Sequence, residues 1–195
     1  MPESKPTRRY SVKNVKPSAG SQNASLRILE AARAIAARDG AGKITIDAVA
    51  RESGLSKGGV LYNFPSKKAL LSGLLDQMLT SHRALSETLP HDLPSRILRG
   101  QLETMLQMQK ADVDLAMAIL AAAASDPQLL DPLRAELSDQ IDLILSETQD
   151  PATAMIVVLA LQGLRFQDLL KLPDGGAQVR ERVVERLRTM IDELE

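Results

Sequence analysis

Thr45, Ser56, Lys57, Gly58, Gly59, Tyr62, Asn63, Lys67 and Lys68 gather three hydroxyls, an amide, three ammonium groups and two bare backbone positions in one short span. Hydroxyls and ammonium groups donate to phosphate oxygens, and a lysine also reaches the O6/N7 edge of a guanine. Catalysis is a poorer match for this chain. His82 and His91 are its only histidines, they stand in no metal-ligand spacing with each other, and cysteine is absent. No glycine-rich phosphate loop follows a strand-like run. The expectation is a binding protein with no catalytic residue, no metal and no cofactor.

The elements that must hold these groups are legible around them. Thr45 is placed to cap a short helix, with Asp47 in its first turn against the positive dipole end and Ile46, Val49 and Ala50 turned inward. Gly54 stands where the chain leaves that helix in a left-handed conformation, and Leu55 plugs the turn. Ser56 caps the next helix, whose first turn holds Lys57, Gly58 and Gly59. Each glycine costs a helix roughly 1 kcal/mol relative to alanine, so the pair suggests that something must approach the backbone closely. Ser66, behind Pro65, caps a long helix carrying Leu70, Leu71, Leu74, Leu75, Met78, Leu79 and Leu85 to about Leu89. From Ala24 to about Asp39, Leu26, Leu29, Ala32, Ile35 and Ala36 recur at helical spacing and define a supporting helix.

Thr45, Ala50, Gly54, Ser56-Lys57-Gly58, Leu61-Tyr62, Phe64, Ser66-Lys67 and Leu70-Leu71, at these spacings, resemble the DNA-binding signature of the tetracycline-repressor (TetR) family over roughly residues 24–75. The resemblance implies an all-α fold of about nine helices. An N-terminal three-helix helix-turn-helix head binds DNA, and a C-terminal helical bundle binds a ligand and dimerises. The expected division is a flexible basic arm over 1–22, the head over 23–70 and the body over 71–195. By the same resemblance, base readout falls to Ser56, Lys57, Gly58 and Gly59, with Asn63 less firmly placed. Thr45, Tyr62, Lys67 and Lys68 suit phosphates, the last three near a helix N-terminus whose N–H groups attract anions. Phe64 is read as core.

Charge is divided along the same boundary. Residues 1–70 carry 13 Lys or Arg against 5 Asp or Glu, and the rest carry 11 against 20. That is a basic head on an acidic body. The arm, with Lys5, Arg8, Arg9, Lys13 and Lys16 among Pro2, Pro6 and Pro17, suits phosphates or a minor groove, or serves as a solubilising tail. The first residues, MPESKPTRRYSVKN, hold no apolar core for a signal peptide, and the longest continuous apolar run, 115–124, falls short of the roughly 20 residues that span a bilayer. A soluble cytoplasmic protein without a membrane partner is expected.

The body reads as helices over roughly 95–110, 113–124, 127–147, 151–171 and 177–194, with Asp126-Pro127 and Asp150-Pro151 each placing a capping carboxylate before a proline. From Met155 to Leu164 the chain is apolar on nearly every side, which calls for burial all round. In the last helix Val179, Val183, Leu187 and Met190 continue into a stripe with Ile191 and Leu194. Together with Met155 and Leu159 these residues are the expected homodimer interface, which is also how the TetR family dimerises. Such a two-fold protein matches a palindromic operator in double-stranded DNA.

In that family the body takes a small-molecule effector that releases DNA. Met78, Met105, Met108 and Met117 supply adaptable apolar surface here, and His82, Gln101, Gln162 and Arg165 are the polar candidates. Phe166 is a further candidate for the ligand site, and as the one aromatic residue after Phe64 it argues against an aromatic cage. The functional expectation is a ligand-responsive repressor, with a ligand-independent regulator or activator of the same fold as the alternative.

Overall fold

The computed structural model describes residues 19–194, within which the chain forms nine α-helices and no strand. They are α1 (Ala19–Asp39), α2 (Ile46–Ser53), α3 (Lys57–Asn63), α4 (Lys67–Glu87), α5 (Arg96–Leu106), α6 (Lys110–Ala123), α7 (Asp131–Glu147), α8 (Pro151–Leu170) and α9 (Ala177–Asp192). Short 3-10 turns at Ala41–Lys43 and Pro127–Leu130 precede α2 and α7. The expected basic arm lies outside the described residues except for 19–22, which are the first turn of α1.

Two apolar cores hold the chain together. The first joins Ile28, Leu29, Ala32, Ile35 and Ala36 of α1 with Val49 and Ala50 of α2, Val60 of α3 and five leucines of α4. It also takes in Leu115, Ile119 and Ala123 of α6, so a helix from the acidic half completes the core of the basic half. Arg33 of α1 fixes that join by pairing with Asp112 at 2.5 Å, while the other oxygen of Asp112 accepts from the Gln109 N–H at 3.1 Å and caps α6. The second core gathers Leu98, Leu102 and Met105 of α5, Ile144 of α7, five residues of α8, and Val184, Leu187 and Ile191 of α9.

The supporting helix buries a slightly different face from the one its spacing suggested. Ile28 and Ala31 point into the core, and Leu26 is exposed. Asp126 makes no capping bond; its carboxylate pairs with Lys68. Asp150 does cap α8, accepting from the Thr153 N–H at 3.1 Å, and the Thr153 hydroxyl and N–H hold its carboxyl below the ordinary range. By length and composition α8 is the one helix among the described residues apolar enough to cross a membrane. Its buried face, Ala154, Val157, Val158, Leu161 and Leu164, lies in the second core.

Candidate nucleic-acid interface and effector cavity

Three side-chain caps build the head. Thr45 Oγ1 accepts from the Ala48 N–H at 3.1 Å, Ser56 Oγ from Gly59 at 3.0 Å and Ser66 Oγ from Ala69 at 3.0 Å. Each starts a helix at the residue the sequence marks, satisfying one of the first-turn N–H groups that would otherwise lack a partner. Gly54 ends α2 at φ 67°, a left-handed conformation that favours glycine. Arg27 of α1 donates to the Ser53 carbonyl at 2.7 Å and ties the turn to the supporting helix. Val60 turns inward, so Lys57, Gly58, Leu61 and Tyr62 face out on α3.

The two glycines of α3 answer different demands. A Cβ at Gly58 would meet the Ser56 hydroxyl at 3.9 Å, an ordinary contact, so the folded chain has room for a side chain there. At Gly59 the same hydroxyl would lie at 3.3 Å, which is tight. By contrast, Gly73 of α4 is required by packing, since a Cβ there would lie 2.6 Å from Phe64 Cε1. Phe64 is therefore part of the core, as its pattern suggests.

Tyr62 is 85% exposed, which leaves its hydroxyl free to face outward. Thr45 and Lys67 are exposed at the ends of α2 and α4. Lys57 pairs with Asp47 at 3.0 Å across the turn, and Lys68 is engaged by Asp126. Both lysines therefore carry partners within the chain. Asn63 is engaged within the head. Its amide donates to the Gly59 carbonyl and accepts from the Ser25 hydroxyl, both at 2.9 Å, and so fastens α3 to α1. These two bonds hold the Asn63 amide within the head. Leu61, 37% exposed, lies on the outward side of α3 beside Tyr62.

The body is hollow beside the first core. A half-open cavity of about 240 Å³ is walled by Leu75, Met78, Leu79 and His82 of α4, by Ile119 and Leu120 of α6, by Leu133 and Leu137 of α7, and by Gln162, Arg165 and Phe166 of α8. An open cleft of about 410 Å³ shares His82, Met78 and Met108 with it, and so adjoins the cavity on the outer side. A third, small hollow of about 40 Å³ behind His82 includes Gln101 and Arg165. Burial, and then the Arg165 guanidinium, push His82 below the ordinary imidazole value. Arg165 Nη2 donates to the Gln101 carbonyl at 2.7 Å, and Gln101 Nε2 to Gln140 at 2.7 Å.

Met78, His82, Gln101, Gln162, Arg165 and Phe166 thus gather around connected hollows, whereas two expected lining residues do not. Met105 is 2% exposed and packed in the second core. Met117 lines a separate surface groove beside Lys67 and Lys68. Met108, one turn after Met105, lines the cavity. Beside the cavity, Ile156, Leu159, Phe166 and Leu170 form an exposed apolar stripe along α8, and Val179 and Val183 of α9 are exposed as well. Leu187, expected in that stripe, is buried in the second core, and Met155 and Met190 pack half-buried against it.

A capped helix-turn-helix with an outward α3, carried on an all-α body, defines a DNA-binding regulator. Residues 28–74 match the family described as bacterial regulatory proteins, tetR family, and residues 95–192 match the tetracyclin repressor-like C-terminal domain. The chain belongs to the TetR family of transcriptional regulators, whose fold implies DNA binding and dimerisation. A search of the curated proteins found no match. Among solved structures it is similar to the multidrug binding protein EbrR complexed with ethidium, at 26% identity over 84% of this chain and 98% of that one, TM-score 0.60. It is also similar to a member of the TetR family from Streptomyces coelicolor A3, at 25% identity over 84% and 97%, TM-score 0.63. A transcriptional regulator from Rhodococcus sp. Rha1, 20% identical over 87% and 95% with TM-score 0.67, shares the fold.

Proposed function

We propose that this protein is a cytoplasmic repressor that binds a palindromic operator as a homodimer and leaves it when a small molecule fills the cavity beside His82. The observation that carries this reading is the position of the cavity. Its walls come from α4, which starts at the head, and from α8, whose exposed apolar stripe adjoins the cavity and shares Phe166 with it. A ligand wedged between these helices acts on head spacing and dimer geometry together. The similarity to EbrR, which holds ethidium, supports a ligand-taking body. The cavity favours ligand control over a ligand-independent regulator or activator of the same fold.

On DNA, α3 enters the major groove by its N-terminal end, where Gly58 and Gly59 let the backbone come close and Ser56 and Lys57 reach the bases. Lys57 exchanges Asp47 for a guanine edge or a phosphate. Thr45, Tyr62, Lys67 and Lys68 hold phosphates. Residues 23–70 serve as the head and 71–195 as the body, with α4 crossing the division. The dimer forms through Leu159, Val179 and Val183 together with Ile156 and Phe166, with Met155 and Met190 at its edge.

The experiment is a selection of genomic fragments by the purified protein, followed by affinity against salt for the winning sequence. An enriched palindrome bound by a dimer is the expected outcome. Enrichment of no sequence above bulk DNA would remove the operator reading. On the selected site Lys67→Ala should weaken binding to all sequences alike and lower the salt slope by about one. An unchanged slope would take Lys67 off the phosphate.

A further inference from the structure

Arg165 sits where an arginine is costly. It lines the half-open cavity from α8, its Nε is buried without a hydrogen-bond partner, and its Nη2 has a neutral carbonyl acceptor in Gln101. Among the described residues it makes no ion pair. Arg33, Arg83 and Arg180 of the surrounding helices each have an acidic partner. The carboxylates lining the adjoining hollows are already committed. Asp112 holds Arg33 at 2.5 Å, and Glu136 lies 3.6 Å from Arg83 while also accepting from the Gln140 amide. A guanidinium remains protonated in a protein even where burial lowers its pKa, as it does here. The chain thus places a cation without a protein counter-charge beside walls that are mainly Leu and Met, an arrangement that costs stability. His82 does not add a second cation. Burial and Arg165 favour its neutral form, which leaves it as a hydrogen-bonding group.

We infer that the effector is a small amphipathic anion, whose oxyanion head pairs with the Arg165 guanidinium while its apolar chain lies among Leu79, Leu133, Leu137 and Phe166. This rests on the reading of the cavity as the effector site. At about 240 Å³ the cavity holds about eight water volumes of ~30 Å³, the bulk of an eight-carbon chain. An anion gains there what the protein does not supply, a charge-assisted and often bidentate pair in surroundings of low polarity. A cation of the same size meets repulsion, and a neutral alcohol gains only the apolar contact.

The test is calorimetric titration of the full-length protein with octanoate, octanol and octyltrimethylammonium, with release from the selected operator followed in parallel. Octanoate is expected to bind at least about tenfold more tightly than octanol, the worth of one hydrogen bond to a charged group, and the cation to give no binding heat. Arg165→Met should abolish the advantage of octanoate and leave octanol unchanged, with an equal or higher melting temperature because a buried charge is gone. Arg165→Gln is a second variant of the same design, and Arg165→Lys should keep part of the advantage. Octanol or the ammonium probe binding as tightly as octanoate, or an advantage that survives in Arg165→Met, overturns the inference. If either of those probes binds and releases DNA, effector control stands without the charge preference. If octanoate binds through Arg165 and DNA stays bound, the preference stands and effector control fails. No binding heat with any probe overturns the inference.

Discussion

The two cores differ in what they border. The first is assembled from helices far apart in the chain, α1 to α4 and then α6, and at its DNA end it is closely packed: Phe64 lies against Gly73, and Ile28, Ala32, Ile44, Val49 and Leu70 have no exposed surface. At its other end Leu75, Leu79 and Ile119 of this same core line the cavity beside His82, whereas the second core, from α5, α7, α8 and α9, supplies none of that cavity's walls. A packed region transmits displacement as a unit, because its side chains have few other arrangements, whereas a hollow can be filled. The first core is thus stiff next to DNA and adaptable at its body end. Because α6 reaches both ends, its displacement reaches the head through Leu115, Ile119 and the Arg33–Asp112 pair.

The largest expected effect tests whether α6 belongs to the head. Ile119, 2% exposed, touches the head core from outside the DNA-binding segment. Ile119→Ala should cost about 2–5 kcal/mol. It should also speed hydrogen exchange of the α2 and α3 amides. Leu161→Ala in the second core should cost a similar amount and leave those amides protected. Denaturant unfolding at fixed protein concentration reads the first quantity, and exchange followed residue by residue reads the second. Equal head protection in both variants would mean that α6 only rests against the head.

The legible parts of the molecule were local. Thr45, Ser56 and Ser66 cap helices because a hydroxyl reaches the N–H three residues on, a relation contained in a few consecutive residues. Gly54 is of the same kind. What the sequence could not reveal depends on partners distant in the chain. Asp126 has the pattern of a cap, yet Lys68 from α4 takes its carboxylate. Asn63 has the position of a base reader, yet Ser25 lies within reach of its amide. Met105 and Met108 are equal in the sequence, and only the packing of α5 against α8 puts one in the core and the other beside the cavity. The last helix offers Val183 and Val184 as adjacent apolar residues on adjoining faces. Tertiary contact chose Val184 and Leu187 for the core and left Val183 for a partner.

Gly58 separates a demand of the fold from a demand of DNA. The folded chain leaves room for a Cβ there, and alanine is the better helix former by up to about 1 kcal/mol. Gly58→Ala should therefore be neutral or slightly stabilising, while its affinity for the operator falls at least about tenfold, since a methyl group holds the backbone away from the groove, and 1.4 kcal/mol already amounts to that factor. Gly73→Ala makes the contrast, because its Cβ would collide with Phe64 and destabilise the head before any DNA is added. Melting temperature and DNA titration on both variants provide the comparison. Full operator affinity in Gly58→Ala would show that α3 does not approach DNA through its first turn.

The smallest effect concerns the hollow side and is read through pH. His82 is held below the ordinary imidazole value by burial, by Arg165 and, more weakly, by Arg33, with Asp112 and Glu136 acting in the opposite sense. With a lowered folded value, the unfolded chain binds the proton first as the solution is acidified. Stability is therefore intact above the unfolded value near 6.5 and is lost as pH falls from there toward the folded value, below which the loss is complete. His82→Gln removes this group from the balance and should flatten the slope of stability against pH in that window, while other groups keep their share. Binding of octanoate should move in the opposite direction in the wild-type chain, because an anion near Arg165 favours the protonated imidazole and raises its pKa. Denaturant midpoints at several pH values, with and without octanoate, test both halves. A slope unchanged by His82→Gln would mean that the imidazole is solvated through the outer cleft, and the cavity would then be wetter than its apolar walls imply.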